Sequence, residues 1–426
     1  MTEAFLQYVW QHQLICLDKL YTTNNEPIQV IKIGVFNTNA GPDFLNAKIK
    51  IGETIWAGDV EIHKKSSDWN VHQHNSNKLY NSVILHVVAT FDKEVFTENG
   101  HAISTLVMPI LPHVTNNYMQ LKDLPAGIRC SKQLQEIDSL RITMFLERLV
   151  AERFEQKSEQ IILSYHANTN NWEETLYQQL ARNFGFKTNN DAFELLAKSI
   201  PLQLLSKHQD NSFQIEALLF GQANIWSGHA GEYELSLQKE YRFLQKKYQL
   251  TPISPTWWKF ARMRPNNFPT FRIAQFAQLA SKIPHLASKI LESDLDTIKT
   301  FFSCDASSFW HTHYSFGTES PKHETSIGKQ AIDTIIINTV VPFLFAYGKV
   351  RCVDSFRTKA YDILMALPHE HNKTISLWEQ HGLHPSNAYE TQGLLQLYNN
   401  YCTEGKCTRC AIGHTVLNRR QEIFRS

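Results

Sequence analysis

The chain has 426 residues, with 42 Lys and Arg against 41 Asp and Glu. No net field therefore steers the whole molecule toward nucleic acid or an anionic membrane, and any polyanion contact must come from a local patch. This length predicts two or three domains with ample material for buried cores.

No run reaches the ~18 uninterrupted apolar residues of a membrane span. The nearest, residues 334–347 (TIIINTVVPFLFAY), is broken by Asn338 and Pro342 and reads as a buried helix or strand. The start, MTEAFLQYVWQHQL, lacks the basic opening and apolar core of a secretion signal. Seven cysteines, odd in number and concentrated late, do not read as a secreted disulfide framework. Together these features predict a cytoplasmic protein with no membrane partner.

In chain order, Thr2, Glu3 and residues 4–14 predict an opening helix with Phe5, Val9 and Leu14 on one side. Residues 27–36 (PIQVIKIGVF) alternate and predict a strand. Residues 47–51 and 60–62 predict two further short strands, with Gly41-Pro42 and Gly58-Asp59 read as turns. Residues 83–91 and 101–112 supply two more strands. From about residue 138 the apolar period changes from two to 3.6. Residues 139–165 read as a helix that Asp138 or Ser139 can cap. Residues 172–184 predict a helix closed by Gly185 in a left-handed conformation. Residues 191–200, 214–226, 234–248, 271–281 and 359–366 also read as helices, and residues 304–328 as a loop. The expected fold is α+β: a mixed-sheet module over residues 1–115, a connector over 116–137, and a mainly helical region over 138–426.

The chemistry concentrates in residues 39–88. Asp43 follows a Gly-Pro turn, and Glu61-x-His63 comes after a gap of 17 residues. Period two places Glu61 and His63 on one face of a strand. A carboxylate pair of this kind can hold Mg²⁺ or Mn²⁺ and orient water for phosphodiester hydrolysis, with His63 in the place of the usual lysine. Short motifs of this type also arise as ordinary turns and solvated strands. His63, His72, His74 and His86 fall within 24 residues, with Asp68 and Trp69 among them. His72-x-His74 on an extended segment would present two imidazoles on one side, a pair suited to Zn²⁺. The plainer reading is a set of hydrogen-bonded histidines beneath a loop.

Two later stretches stand out. In YCTEGKCTRC, Cys402, Cys407 and Cys410 have the C-x4-C-x2-C spacing of iron–sulfur or zinc ligation. A fourth ligand is required, with Cys130 favoured over Cys352 and His414. In WWKFARMRPNNFPTFR, Arg262, Arg264 and Arg272 interleave with aromatics, as in surfaces that hold phosphates and stack bases of DNA or RNA. Such a stretch also serves as a packing seam whose arginines pair with acids.

The Pro-Asp turn followed by Glu61-x-His63-Lys64 resembles the PD-(D/E)xK nucleases. The histidine-rich segment after the next strand resembles very-short-patch-repair nucleases. That resemblance implies a restriction-endonuclease-like sheet, a catalytic Mg²⁺ or Mn²⁺, and DNA or RNA as partner. Over nearly the whole chain, GPDF-x-x-A, G-x-V-E-I-H, D-W-x-x-H-x-H, Y-x-x-V-I-L-H-V-V, R-P-x-N-F-P-T-x-R and Y-C-x4-C-x2-C-x-I-G resemble the DUF2851 family, typical of Bacteroidetes. Where that family tends to carry H-x-H-x-x-D, this chain has Asn75, Ser76 and Asn77. The resemblance implies no activity, so function rests on the residues. The expectation is a metal-dependent nuclease or related phosphodiesterase. The alternatives are a nucleic-acid- or protein-binding scaffold with a structural metal, and a zinc hydrolase of a small substrate.

Overall fold

The computed structural model describes residues 1–228 and 231–420. It divides into two units: residues 1–145 together with the chain from Leu397 onward, and residues 146–396. The architecture is α+β, a mixed sheet followed by a mainly helical region. The predicted boundaries placed the chain end with the helical region; it belongs instead to the N-terminal unit. Asn117 is one residue that holds it there, as is Tyr8, whose hydroxyl meets His414 and Asn418. The Asn117 side-chain amide donates to the carbonyls of Val416, Leu417 and Arg419 at 2.9–3.1 Å, satisfying the open end of the Ala411–Asn418 helix.

In the N-terminal unit, helix α1 (Glu3–Gln11) is capped by Thr2, whose hydroxyl accepts from the Phe5 N–H. It buries Phe5, Leu6, Tyr8, Val9 and Trp10. The strands are β1 (Ile28–Lys32), β2 (Val35–Phe36), β3 (Phe44–Ile51), β4 (Thr54–Lys65), β5 (Val83–Thr90) and β6 (Thr105–Val107). The sheet order is β1-β3-β4-β5-β6, with β2 also on β3. β3 and β4 form an antiparallel hairpin, whereas β4–β5 and β5–β6 are parallel. β3 shows the alternation of a half-buried strand, with Phe44, Ala47, Ile49 and Ile51 inward.

The hairpin turn is not at Gly58-Asp59. It lies at Gly52-Glu53, where Gly52 takes φ +58°. Strand β4 runs straight through Gly58, because a Cβ there would meet Ile84 Cγ2 and the Ser82 carbonyl at 2.5 Å. That glycine serves the close approach of β5 rather than a turn.

After β4 come α2 (Asp68–Val71), α3 (Pro112–Asp123) and the 29-residue α4 (Ser139–Ala167). Asp138 Oδ1 accepts from the Leu140 N–H at the start of α4. The unit boundary falls inside this helix.

The second unit is helical around one large apolar core. The Trp172–Phe184 helix is capped by Asn171, which accepts from the Glu173 and Glu174 amides, and it buries Trp172, Leu176, Tyr177, Leu180 and Phe184. Each such side chain contributes about 1.5–3 kcal/mol on leaving water. Gly185 does not take the expected left-handed conformation; its φ is −72°. A Cβ there would strike the Asn189 carbonyl carbon at 2.3 Å. The left-handed residues are the next two, Phe186 and Lys187. Within residues 304–328, read as a loop, His313–Ser315 and Thr318–Glu319 pair as a small hairpin. The apolar stretch at 334–347 lies inside a continuous helical run, Lys329–Arg351. By length and composition that run could cross a membrane, and 67 % of its most apolar window is buried in the fold.

Candidate metal centre

The turn at Gly41, φ +108°, delivers Asp43 to the head of β3. Asn37 holds it, donating from its side chain to the Pro42 carbonyl at 3.0 Å and from its backbone to the Asp43 carbonyl at 2.8 Å. The Asp43 carboxylate then accepts from the Ile62 N–H at 3.0 Å and from Gln7 Nε2 of α1 at 2.8 Å. Its own amide donates to Glu61 Oε2 at 3.0 Å.

On β4, Glu61 and His63 share a face as period two requires. His63 Nε2 lies 3.5 Å from Glu61 Oε1. Parallel pairing sets His86 of β5 opposite Glu61, and its Nε2 lies 2.9 Å from His63 Nδ1.

The segment after β4 folds over this face. Lys65 donates its amide to Asp68 Oδ2 at 3.0 Å, so Asp68 holds the start of α2. The His72-x-His74 segment is not extended. It is the end of α2 followed by Gln73 at φ +62°, and this left-handed residue turns both imidazoles toward His63. His72 Nδ1 lies 3.0 Å from His63 Nε2, and His74 Nε2 lies 3.3 Å from Glu61 Oε1. Trp69 and Tyr80 wall the group, Tyr80 stacking on His74 with ring centres 3.7 Å apart.

His63, His72 and His74 each offer a ring nitrogen within 4.8 Å of the others'. With metal–nitrogen bonds of about 2.1 Å, ligands of a tetrahedral ion lie ~3.4 Å apart. Three separations are near that span, His72–His63 at 3.0 Å, His74–Glu61 at 3.3 Å and His63–Glu61 at 3.5 Å, and the three histidine nitrogens all lie within 4.8 Å of one another. His74 is 7 % exposed; its Nε2 faces the Glu61 carboxylate at 3.3 Å, and its Nδ1 has no hydrogen-bond partner among the described residues. A buried polar group in that condition is costly unless something outside the protein satisfies it.

Burial governs the electrostatics. It pushes Asp43 up to about 7, with repulsion from Glu61 adding and the Gln7 and Ile62 donors opposing. Burial also pushes Glu61 up to about 7, against the Asp43 amide. His63 is pushed down to about 2 and His86 to about 4, by burial first and neighbouring imidazoles second. The His74 pKa is lowered by burial too. Neutral imidazoles with open lone pairs beside carboxylates suit a divalent cation. Three nitrogens with the Glu61 oxygen suit Zn²⁺ or Mn²⁺ better than Mg²⁺, which prefers oxygen ligands and retained water.

Sequence reasoning missed Gln7 and Tyr80. Gln7 had one signal, a polar residue one turn from Glu3 on a helix otherwise devoted to apolar burial. Glu3 is close enough to raise the pKa values of Asp43 and Glu61.

The arginine stretch lies in the second unit. Arg262 and Arg264 are exposed, beside exposed Trp257 and Phe260. Arg272 is not available to a polyanion in the same way. It is buried at 8 % exposure over the Phe186 ring, and donates to Gln275 Oε1 and Asn267 Oδ1. Burial lowers its pKa to about 10. Cys130, Cys402, Cys407 and Cys410 all fall in the N-terminal unit, whereas Cys352 is exposed at a helix end in the other. His414 Nδ1 lies 2.8 Å from the Tyr8 hydroxyl.

No curated protein and no solved structure matches the chain. A family model described as "Protein of unknown function (DUF2851)" matches residues 3–373, a span that contains the whole histidine centre and ends before Cys402. With most of its length so matched, the chain belongs to the DUF2851 family.

Proposed function

We propose that the N-terminal unit is a metal-dependent hydrolase of phosphodiester bonds, acting on DNA or RNA. The observation that carries this reading is the convergence of His63, His72 and His74 nitrogens beside Glu61. These four side chains would hold Zn²⁺ or Mn²⁺. Such a cation, when bound, polarises a phosphoryl oxygen and brings the pKa of its water toward 7. Asp43, pushed up to about 7, has the pKa of a general base working at neutral pH. The Ile62 and Gln7 donors fix its carboxylate, so its part is proton transfer rather than a mobile contact. Lys64 and Lys65 are exposed just beyond His63 and give an anionic substrate a local cationic edge.

The nitrogen-rich donor set also favours a second reading, a zinc hydrolase of a small uncharged ester or amide.

One assay separates the readings. Chelated protein is reloaded with Zn²⁺, Mn²⁺ or Mg²⁺ and offered single- and double-stranded DNA, RNA, bis(p-nitrophenyl) phosphate and p-nitrophenyl acetate. Cleavage of nucleic acid should appear with Zn²⁺ or Mn²⁺ and fall by more than the ~10–100-fold of an outer-shell defect in Glu61→Gln and His74→Ala. Turnover of acetate ester alone would favour the small-substrate enzyme. Metal binding with no turnover of any substrate would leave a scaffold.

A further inference from the structure

The second chemistry-bearing cluster of the N-terminal unit is built of cysteines and is independent of the histidine centre. Cys402, Cys407 and Cys410 lie on a knuckle at the chain end. The Gly405 N–H donates to the Cys402 carbonyl at 3.2 Å, and the Lys406 N–H donates to the Tyr401 carbonyl at 2.9 Å. Gly405 takes φ +66° to make this reversal. The Cys410 N–H then approaches the Cys407 carbonyl at 3.4 Å, closing the second loop. The Ala411–Asn418 helix starts at once and packs so tightly on the knuckle that a Cβ on Gly413 would lie 2.1 Å from the Cys407 carbonyl oxygen.

Cys130 arrives from far upstream, at the start of a short 3-10 helix, and is buried, as is Cys410. Arg129, the residue before Cys130, sets its guanidinium against Gly405 of the knuckle and so brings Cys130 to it. Negative charge on Cys407 and Cys410 would raise the thiol pKa values of Cys130 and Cys402, after burial as the first cause. The guanidinium of Arg129 stands beside Gly405 and offsets charge at Cys402 and Cys407. No disulfide links any of the seven cysteines among the described residues. His414, the other candidate ligand, is engaged with Tyr8 and Asn418.

We propose that Cys130, Cys402, Cys407 and Cys410 form a four-thiolate metal centre, taking one zinc ion or one iron–sulfur cluster, that clasps the chain end to the N-terminal unit. Four sulfurs drawn from two distant stretches, those of Cys130 and Cys410 buried and those of Cys402 and Cys407 partly buried, make a donor set that a shared soft cation would hold together. Thiolates are the donors for these two soft metal groups, and an adjacent arginine offsets the net negative charge of either complex. Because the ligands come from both chain segments of the unit, metal binding and folding of the unit are coupled.

The test uses the full-length His74→Ala protein, purified without oxygen, so that the histidine centre does not contribute to the metal count. Metal analysis should give about one zinc per chain, or iron and sulfide with absorption near ~400 nm. Cys130→Ser and Cys407→Ser should each lose that metal and melt at lower temperature. Cys16→Ser, an exposed thiol of the same unit, should keep it. Protein holding neither zinc nor iron, or Cys130→Ser keeping the full complement, overturns the centre. Should the serine variants fail to fold, stepwise mercurial titration of the folded parent decides the matter. Metal release completing as four thiols react after the two exposed ones supports the centre, and thiol modification with no metal released overturns it.

Discussion

The amide of Asp43 donates to Glu61 Oε2 at 3.0 Å, so a half-buried and a buried carboxylic acid stand on adjoining strands. Burial, then mutual repulsion, holds Asp43 at about 7, and burial holds Glu61 at about 7. In metal-free protein both keep protons that the unfolded chain has released by ordinary carboxylate pKa values of about 4. Between those values the folded state binds more protons, so this pair's contribution to stability falls as pH rises toward 7. His63 and His86 act oppositely: kept neutral by the fold, they lose stability as pH drops below the usual imidazole range. The difference between Asp43→Asn and wild type isolates the carboxylate. In chelator, the melting temperature of Asp43→Asn relative to wild type should rise steadily from near pH 4 to near pH 7 and level off above it. A melting difference independent of pH would show that Asp43 is not held protonated.

His86 should act on the metal through His63. For His63 Nε2 to offer a lone pair, its proton must sit on Nδ1 and point at His86 Nε2, 2.9 Å away. His86 Nδ1 then carries a proton with no partner in the fold. His86→Ala removes the acceptor that fixes this tautomer and should weaken Zn²⁺ binding by about 10–100-fold. His86→Gln, whose side-chain carbonyl can accept the same proton, should recover part of the affinity. Competition against a chromophoric chelator measures both; an affinity within a factor of two of wild type in His86→Ala would remove His86 from the centre.

In the second unit, Lys157 retains some exposed stem but has its ammonium enclosed, donating to Asn338 Oδ1 at 3.2 Å and Gln392 Oε1 at 3.3 Å. Asn338 lies in the π-helical turn Ile336–Val340, a kind of insertion that often marks a specialised site. Burial first and the Arg153 charge second push the Lys157 pKa down to about 7, with Glu370 opposing. The folded chain releases this proton near 7 and the unfolded chain near 10, so stability from this group rises with pH across that window. Lys157→Met should therefore raise the melting temperature more at pH 6 than at pH 9. An equal change at both values would mean that Lys157 stays charged throughout.

What the sequence made legible was local. Period two placed Glu61 and His63 on one face, and the helices named from their 3.6 period recur with ends off by up to five residues, as at Asp354–Ala366 against 359–366, while shorter ones such as Leu286–Glu292 and Lys373–Gln380 went unread. What stayed hidden depended on contacts between distant segments. Gln7 reaches Asp43 across 36 positions, and nothing in α1 alone reveals it. His86 stood among the histidines, but its role depends on the parallel register of β4 and β5. The return of the chain end to the first unit draws on Asn117, an unremarked polar residue of α3, and on Tyr8 of α1. Gly58 and Gly185 were read through the commonest use of glycine, reversal of the backbone. Their actual use is close approach, which only the neighbouring segment reveals.

Gly58 offers the sharpest test of how the sheet supports the centre. It lies on β4 three residues before Glu61, where β4 meets β5, and the register shifts by one residue between Asp59 and Val60. An added methyl would meet Ile84 Cγ2 and the Ser82 carbonyl oxygen at 2.5 Å. The isoleucine can rotate away, but the carbonyl belongs to the backbone entering β5 and cannot. Ser82 also donates to Asp59 Oδ2 at 2.6 Å, so it is tied to β4 from the other side. Gly58→Ala should therefore push the two strands apart at this point and destabilise the protein by about 1–3 kcal/mol, the usual cost of overpacking. The strain lies in the same strand pair that sets Glu61 opposite His86. Zn²⁺ affinity should fall along with stability, whereas an equally destabilising core truncation in the second unit should leave affinity unchanged. Adding Ile84→Ala to Gly58→Ala should restore only part of the loss, because the clash with the Ser82 carbonyl remains. Urea midpoints and zinc titrations on the three variants measure this; full rescue by Ile84→Ala would mean that the side chain, not the backbone, sets the strand spacing.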